Sequence, residues 1–157
     1  MSERVLNNFR GARALILHAE DPSRDTLAQT LRRLGLLVAA ASPDTDAPLS
    51  PEHAACDVLF FDADQPLGAA FAEVPPPAVP LIALIGVEAP SRLARVVRHR
   101  CCGYLLKPVR PAGVFTALFM AFNEFSLRQR DASEREGLAQ RLRGRRFVTK
   151  AILRMVA

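Results

Sequence analysis

The sequence contains no tryptophan, a single tyrosine and three cysteines among 157 residues. With large aromatics so scarce, any core must be assembled from Leu, Val, Ala and Phe. Half of the residues are hydrophobic, enough for one domain with a real core plus an appendage. Cys56, Cys101 and Cys102 are odd in number and unsuitably spaced for a disulfide framework or a zinc site. They are expected as reduced thiols acting as small buried hydrophobes. No run approaches the ~20 apolar residues of a membrane span. Nor does Met1-Ser2-Glu3-Arg4 lead into the apolar region of a signal peptide. A cytoplasmic protein with no membrane partner is expected. A Gly-rich phosphate loop, a nucleophile elbow and an HExxH pair are also missing, so no enzymatic activity is expected.

Acidic residues run short only in the tail. Residues 128–157 carry nine Lys and Arg against three Asp and Glu, a net +6, whereas residues 1–127 carry twelve against thirteen, a net −1. The overall charge of +5 therefore belongs to the tail. Such an asymmetry suits an acidic partner, of which nucleic acid is the usual one; a solvated helix face is the plainer reading of scattered arginines.

Five short apolar runs punctuate the first 110 residues. Ala14-Leu15-Ile16-Leu17-His18 leads into Asp21, Pro22 and Ser23, residues that cap and open a helix. Leu27, Leu31 and Leu34 follow at helical spacing until Gly35 stops them. Leu36 to Ala41 reads as a second strand. Three prolines across 42–55 leave room for only a turn or two of helix, from Ser50 to Ala55. Val58 to Asp62 is a continuous apolar run that breaks into Ala63-Asp64-Gln65-Pro66, the pattern of a central parallel strand. A short segment from Leu67 to Val74 is closed by Pro75-Pro76-Pro77, which forbids helix there. Pro80 to Gly86 and Gly103 to Pro108 are the fourth and fifth strands. Between them Pro90 to Arg100 reads as a helix whose Arg92, Arg95 and Arg98 form a basic face, solvated or turned to an acidic partner. Alternating strands and helices predict an α/β fold with a parallel sheet and helices on both faces. In such sheets chemistry gathers beyond the carboxyl ends of the strands, where Asp62 falls.

From Pro111 onward the strand signal ends. Val114, Phe115, Leu118, Phe119, Phe122 and Phe125 make an apolar stripe wider than one sheet face requires, and Leu138, Leu142, Phe147, Ile152 and Met155 resume it. One long helix, or two with a break near Gly137, fits this spacing. Phe115, Leu118, Phe122 and Phe125 also permit a coiled-coil seam.

Residues 12–127 resemble a response-regulator receiver domain. The likeness rests on Asp62-x-x-x-Pro66 after the third strand, Gly103-Tyr104-Leu105-Leu106-Lys107-Pro108 at the fifth, and the fivefold alternation. It implies a flavodoxin-like, five-stranded parallel sheet of order 2-1-3-4-5, with Asp62 at the phospho-acceptor position. It also places Lys107 at the paired lysine, usually across a cis bond to the next proline. The departures bear on function. Where the family brings two acids to Mg²⁺, this chain has His18 and Ala19, and neither supplies a side-chain oxygen. Where the family has a switch hydroxyl, the chain has Ile85. Glu20 and Asp21 lie one or two residues beyond and would serve as substitute acids only in a remodelled turn. Phosphoryl transfer depends on the metal and positioned donors, so a pseudo-receiver with no cofactor and an Asp62–Lys107 ion pair is expected. Mg²⁺ belongs to the alternative, a phospho-accepting regulator.

The tail, Arg145-Arg146-Phe147-Val148-Thr149-Lys150-Ala151-Ile152-Leu153-Arg154-Met155, resembles the opening helix of the ANTAR module of transcription antiterminators. The layout is similar to that of the antiterminator of the aliphatic amidase operon. This resemblance implies a receiver-like domain over 1–127 and a basic helical linker over 128–157 that begins an RNA-binding region. It further implies a homodimer through the C-terminal helix, a regulatory protein partner and, if the module is completed, an RNA leader transcript as target. Arg145, Arg146, Lys150 and Arg154 would contact phosphates. The ANTAR pattern needs further helices, so the sequence reads as a fragment or as a tail with another role. A stand-alone adaptor whose basic helix binds another protein is the remaining alternative.

Overall fold

The structure, a computed structural model, describes residues 6–43, 55–65 and 78–143, together with the helical backbone of 144–156. The short helix expected from Ser50, the segment from Leu67 and the proline run 75–77 lie outside the described residues, as does Pro66. The elements are β1 (Arg13–Leu17), α1 (Pro22–Arg33), β2 (Leu37–Ala41), β3 (Val58–Asp62), β4 (Leu81–Ile85), α2 (Pro90–Arg98), β5 (Gly103–Leu106) and α3 (Val114–Val156). The five strands form one sheet in the order β2-β1-β3-β4-β5, every neighbouring pair parallel. Internal packing divides the chain into Met1–Phe125 and Ser126–Ala157.

Period-2 alternation sorts the strand side chains into two cores. Ala14, Ile16, Val58, Phe60, Ile82 and Leu84 join Leu27 and Leu31 of α1 and Val114 and Leu118 of α3 on one face. Leu15, Leu17, Leu59, Phe61, Ala83 and Ile85 form the other, against which Val96 of α2 packs. Being covered on both sides, β3 and β4 are buried at every position, which is why their sequences run apolar without a break. Helix α1 begins as its residues dictate. Asp21 accepts the N–H of Arg24 at 2.7 Å, Pro22 occupies the first turn, and Gly35 leaves the helix at φ 91°, a conformation that glycine adopts without penalty.

One expectation needs correction. The cysteines are only partly buried: Cys56 and Cys101 lie at the margin of one core and Cys102 at that of the other. Their strand-end positions leave one side of each outside the packed interior. The stripe on α3 along 115–125 is used in part by the domain itself. Leu118 is fully buried and Phe115 is 45% exposed, and Phe9, itself 6% exposed, packs against the stripe. The Phe9 ring stacks on Phe122 at 4.9 Å and meets Phe115 at 5.9 Å. A reciprocal clasp pins this segment: Leu6 N–H donates to Asn123 Oδ1 at 2.8 Å, and Asn123 Nδ2 donates to the Leu6 carbonyl at 2.9 Å. Of the two readings for the C-terminal stretch, the single helix is the one formed, and Gly137 lies within it. Along its second part Leu127, Leu138 and Leu142 are exposed.

Candidate functional site

Parallel strands present their carboxyl ends along one edge of the sheet, and three of those ends supply the site. Asp62 closes β3 and is 4% exposed. Lys107 follows β5, positioned by its N–H donating to the Ile85 carbonyl at 2.8 Å; the Lys107–Pro108 peptide is cis. His18 follows β1 and is buried, its own N–H donating to the Ala41 carbonyl at 3.1 Å. Lys107 Nζ lies 2.8 Å from Asp62 Oδ1 and 3.2 Å from His18 Nε2. His18 Nδ1 is 2.7 Å from the Ala19 carbonyl, which can only accept, so Nδ1 carries the proton and Nε2 accepts from the lysine. The same Nε2 stands 3.4 Å from Asp62 Oδ2.

A further acid completes the cluster. Asp64, in the turn after β3, places Oδ2 at 2.8 Å from the same Lys107 Nζ. Its carboxylate also accepts the N–H of Gly86 at 2.7 Å, the N–H of Val87 at 3.1 Å and Arg92 Nη1 at 2.8 Å. Its own N–H donates to Asp62 Oδ1 at 2.9 Å, tying the two acids into one turn. Burial alone would push the Asp64 carboxyl up. The bonds from Lys107, Val87, Arg92 and Gly86 outweigh it and bring the pKa down to about 2. Burial likewise works against charge on Lys107, yet its hydrogen bonds to Asp62 and Asp64 and their negative charges hold the ammonium pKa above its ordinary value. A Cβ at Gly86 would stand 2.5 Å from Asp64 Oδ2, so glycine is what lets the backbone approach this closely.

The sequence names Asp62, Lys107 and His18 as site positions, and the structure brings them together. It does not single out Asp64, and it turns Arg92 outward where the structure turns it in. The basic face of α2 is thus corrected: Arg92 pairs with Asp64, Arg95 Nη1 is 3.5 Å from the Ala63 carbonyl, and Arg98 is exposed. The reason is geometric, since the start of α2 lies directly beyond β4, beside the Asp64 turn. Asp21 is occupied as the cap of α1, with Oδ1 at 3.6 Å from His18 Nδ1, and Glu20 is exposed on the same loop. Ala19 offers only its carbonyl, and Ile85 is buried in the second core. The side chains of Arg145, Arg146, Lys150 and Arg154 lie outside the described residues.

The receiver likeness implies Mg²⁺, so the donor set matters. Mg²⁺ demands oxygen ligands in a near-octahedral array. Here the Asp62 oxygens face an ammonium, a backbone N–H and an imidazole, and Asp21 is committed to capping. Among the described residues no group of three His, Cys, Asp or Glu is placed to hold a metal ion. The residues present do not fit Mg²⁺.

Comparison with known proteins agrees with the fold. The family model of the AmiR N-terminal domain matches residues 12–122. The structure is similar to the chemotaxis response regulator CheY4 of Vibrio cholerae, with 21% identity, TM-score 0.56, and 69% of this chain and 96% of that one covered. It is also similar to the Rec1 domain of ShkA, solved in complex with c-di-GMP, with 24% identity, TM-score 0.53, and 75% and 98% covered. A yeast Spc42 trimeric coiled-coil fusion aligns at 17% identity and TM-score 0.59 over 85% of this chain and 92% of that one. No curated protein matches the sequence.

Proposed function

Because this chain belongs to the AmiR N-terminal family, we propose that its receiver-like domain controls an ANTAR-type RNA-binding transcription antiterminator, without ordinary Mg²⁺-dependent phosphorylation of Asp62. The observation that carries this reading is Lys107 held between two carboxylates, at 2.8 Å from each. A phosphoryl group on Asp62 would replace its single carboxylate charge by about two negative charges, a net gain of about one beside Asp64, with Lys107 already shared between the two acids. Such like-charge crowding in a partly buried site opposes the phosphorylated state. Regulation then comes from a protein partner or from oligomeric state. Homodimerisation through α3 is supported by the exposed Leu127, Leu138 and Leu142. The phospho-accepting alternative takes Glu20 or Asp21 as metal ligands, and with Asp21 it requires the α1 cap to be given up.

The RNA-binding half of the proposal rests on the tail, with its net charge of +6 over 128–157. Titration of a fluorescent stem-loop RNA with the full chain tests it. Binding is expected to weaken linearly on a log–log plot against salt. Replacing both Arg145 and Arg146 by Ala should lower the slope by about 2, near one unit per lost phosphate contact. Absence of binding, or a salt-independent affinity, would favour the adaptor reading.

A further inference from the structure

The polar groups around Asp64 have the composition of an oxyanion site. Two consecutive backbone N–H groups, of Gly86 and Val87, converge on one point with the Lys107 ammonium and the Arg92 guanidinium. All four are donors, and each lies within 3.1 Å of an Asp64 carboxylate oxygen. Consecutive N–H groups aimed at one concavity, backed by two cations, form the kind of nest that binds phosphate-like anions. They come from three separate elements, the β4–α2 loop, α2 and the end of β5, and Lys107 is the one of the four that Asp62 shares, at 2.8 Å. Gly86 is itself shaped to the occupant, since any side chain there would collide with Asp64 Oδ2.

We propose that this pocket is an oxyanion-binding site for phosphate-like ligands which the protein fills with its own tethered carboxylate, Asp64. The β4–α2 loop and the end of β5 are thereby held in an anion-bound arrangement at all times. Free or covalently attached phosphate is excluded because its place and all its donors are taken. A tethered occupant also has an advantage over a free ion, because its ordering cost is met once, on folding. This inference goes beyond the proposed function and does not depend on RNA binding.

The test is to empty the pocket. Asp64→Ala removes the carboxylate and leaves the four donors. Its melting temperature should rise on addition of inorganic phosphate, saturably and by about 3–6 °C at tenfold the dissociation constant, relative to chloride at matched ionic strength. The wild type should show no saturable rise, because its site is full. Asp64→Asn keeps the volume without the charge, so it should be destabilised yet unresponsive to phosphate. If Asp64→Ala folds only with phosphate present, the proposal is supported; Asp64→Ser serves as a second opened variant. A wild type that responds as Asp64→Ala does would overturn it. So would opened variants that gain nothing from phosphate. RNA binding has no bearing on these outcomes, so this proposal and the functional one fail separately.

Discussion

Replacing Lys107 with Met should cost about 3–5 kcal/mol of folding stability, measured by urea unfolding of the full chain, the range for breaking a buried ion pair from one side. Methionine preserves most of the volume and removes the charge together with the ammonium donors. What remains is Asp62, with its side chain 5% exposed, beside Asp64 at 13%, joined through a shared turn and no longer separated by a cation. His18 also loses its donor at Nε2. Adding Asp62→Asn to Lys107→Met should recover part of the loss, since one of the two facing charges is gone. A double-mutant cycle should give a coupling of about 1–3 kcal/mol. A cost below about 1 kcal/mol for Lys107→Met would place the lysine among ordinary exposed pairs and remove the basis for a locked site.

The second large effect lies far from the acids. Phe9→Ala should destabilise the chain by about 3–5 kcal/mol, the usual cost of truncating a buried Phe, because the ring fills the groove beside Phe115 and Phe122. Phe115→Ala should cost less, since Phe115 is 45% exposed. Denaturant midpoints with unchanged slopes would report these as changes in stability alone. If Phe9→Ala matched a surface substitution, within about 0.5 kcal/mol, the segment preceding β1 would not be docked in solution.

These two sites show where the sequence is readable and where it is not. The buried central strands follow from β3 and β4, whose unbroken apolar runs admit little else, and the sheet order follows from the receiver likeness. Asp62 and Lys107 are legible because a resemblance fixes their places at two strand ends. Asp64 is not. A carboxylate two residues past a strand is ordinarily a solvated turn residue, and what makes it otherwise is the direction of the Gly86 and Val87 amides 22 and 23 residues away. A signal existed at Gly86, a glycine closing an apolar strand, but it marks a close approach without naming what approaches. Arg92 was hidden for a similar reason, since helical spacing groups it with Arg95 and Arg98 and only the helix's placement separates them. Phe9 is an isolated aromatic with no periodic neighbours. Its partners lie more than a hundred residues further on, so the excess width of the α3 stripe is visible while its cover is not.

Mg²⁺ and beryllofluoride, added together to the wild-type chain and followed by ¹⁹F NMR, probe whether Asp62 is reactive toward a phosphoryl-like group. The locked arrangement predicts free fluoride species only, with no bound signal as protein is titrated in. A stoichiometric complex abolished by Asp62→Asn would contradict it and restore an acceptor aspartate to this domain.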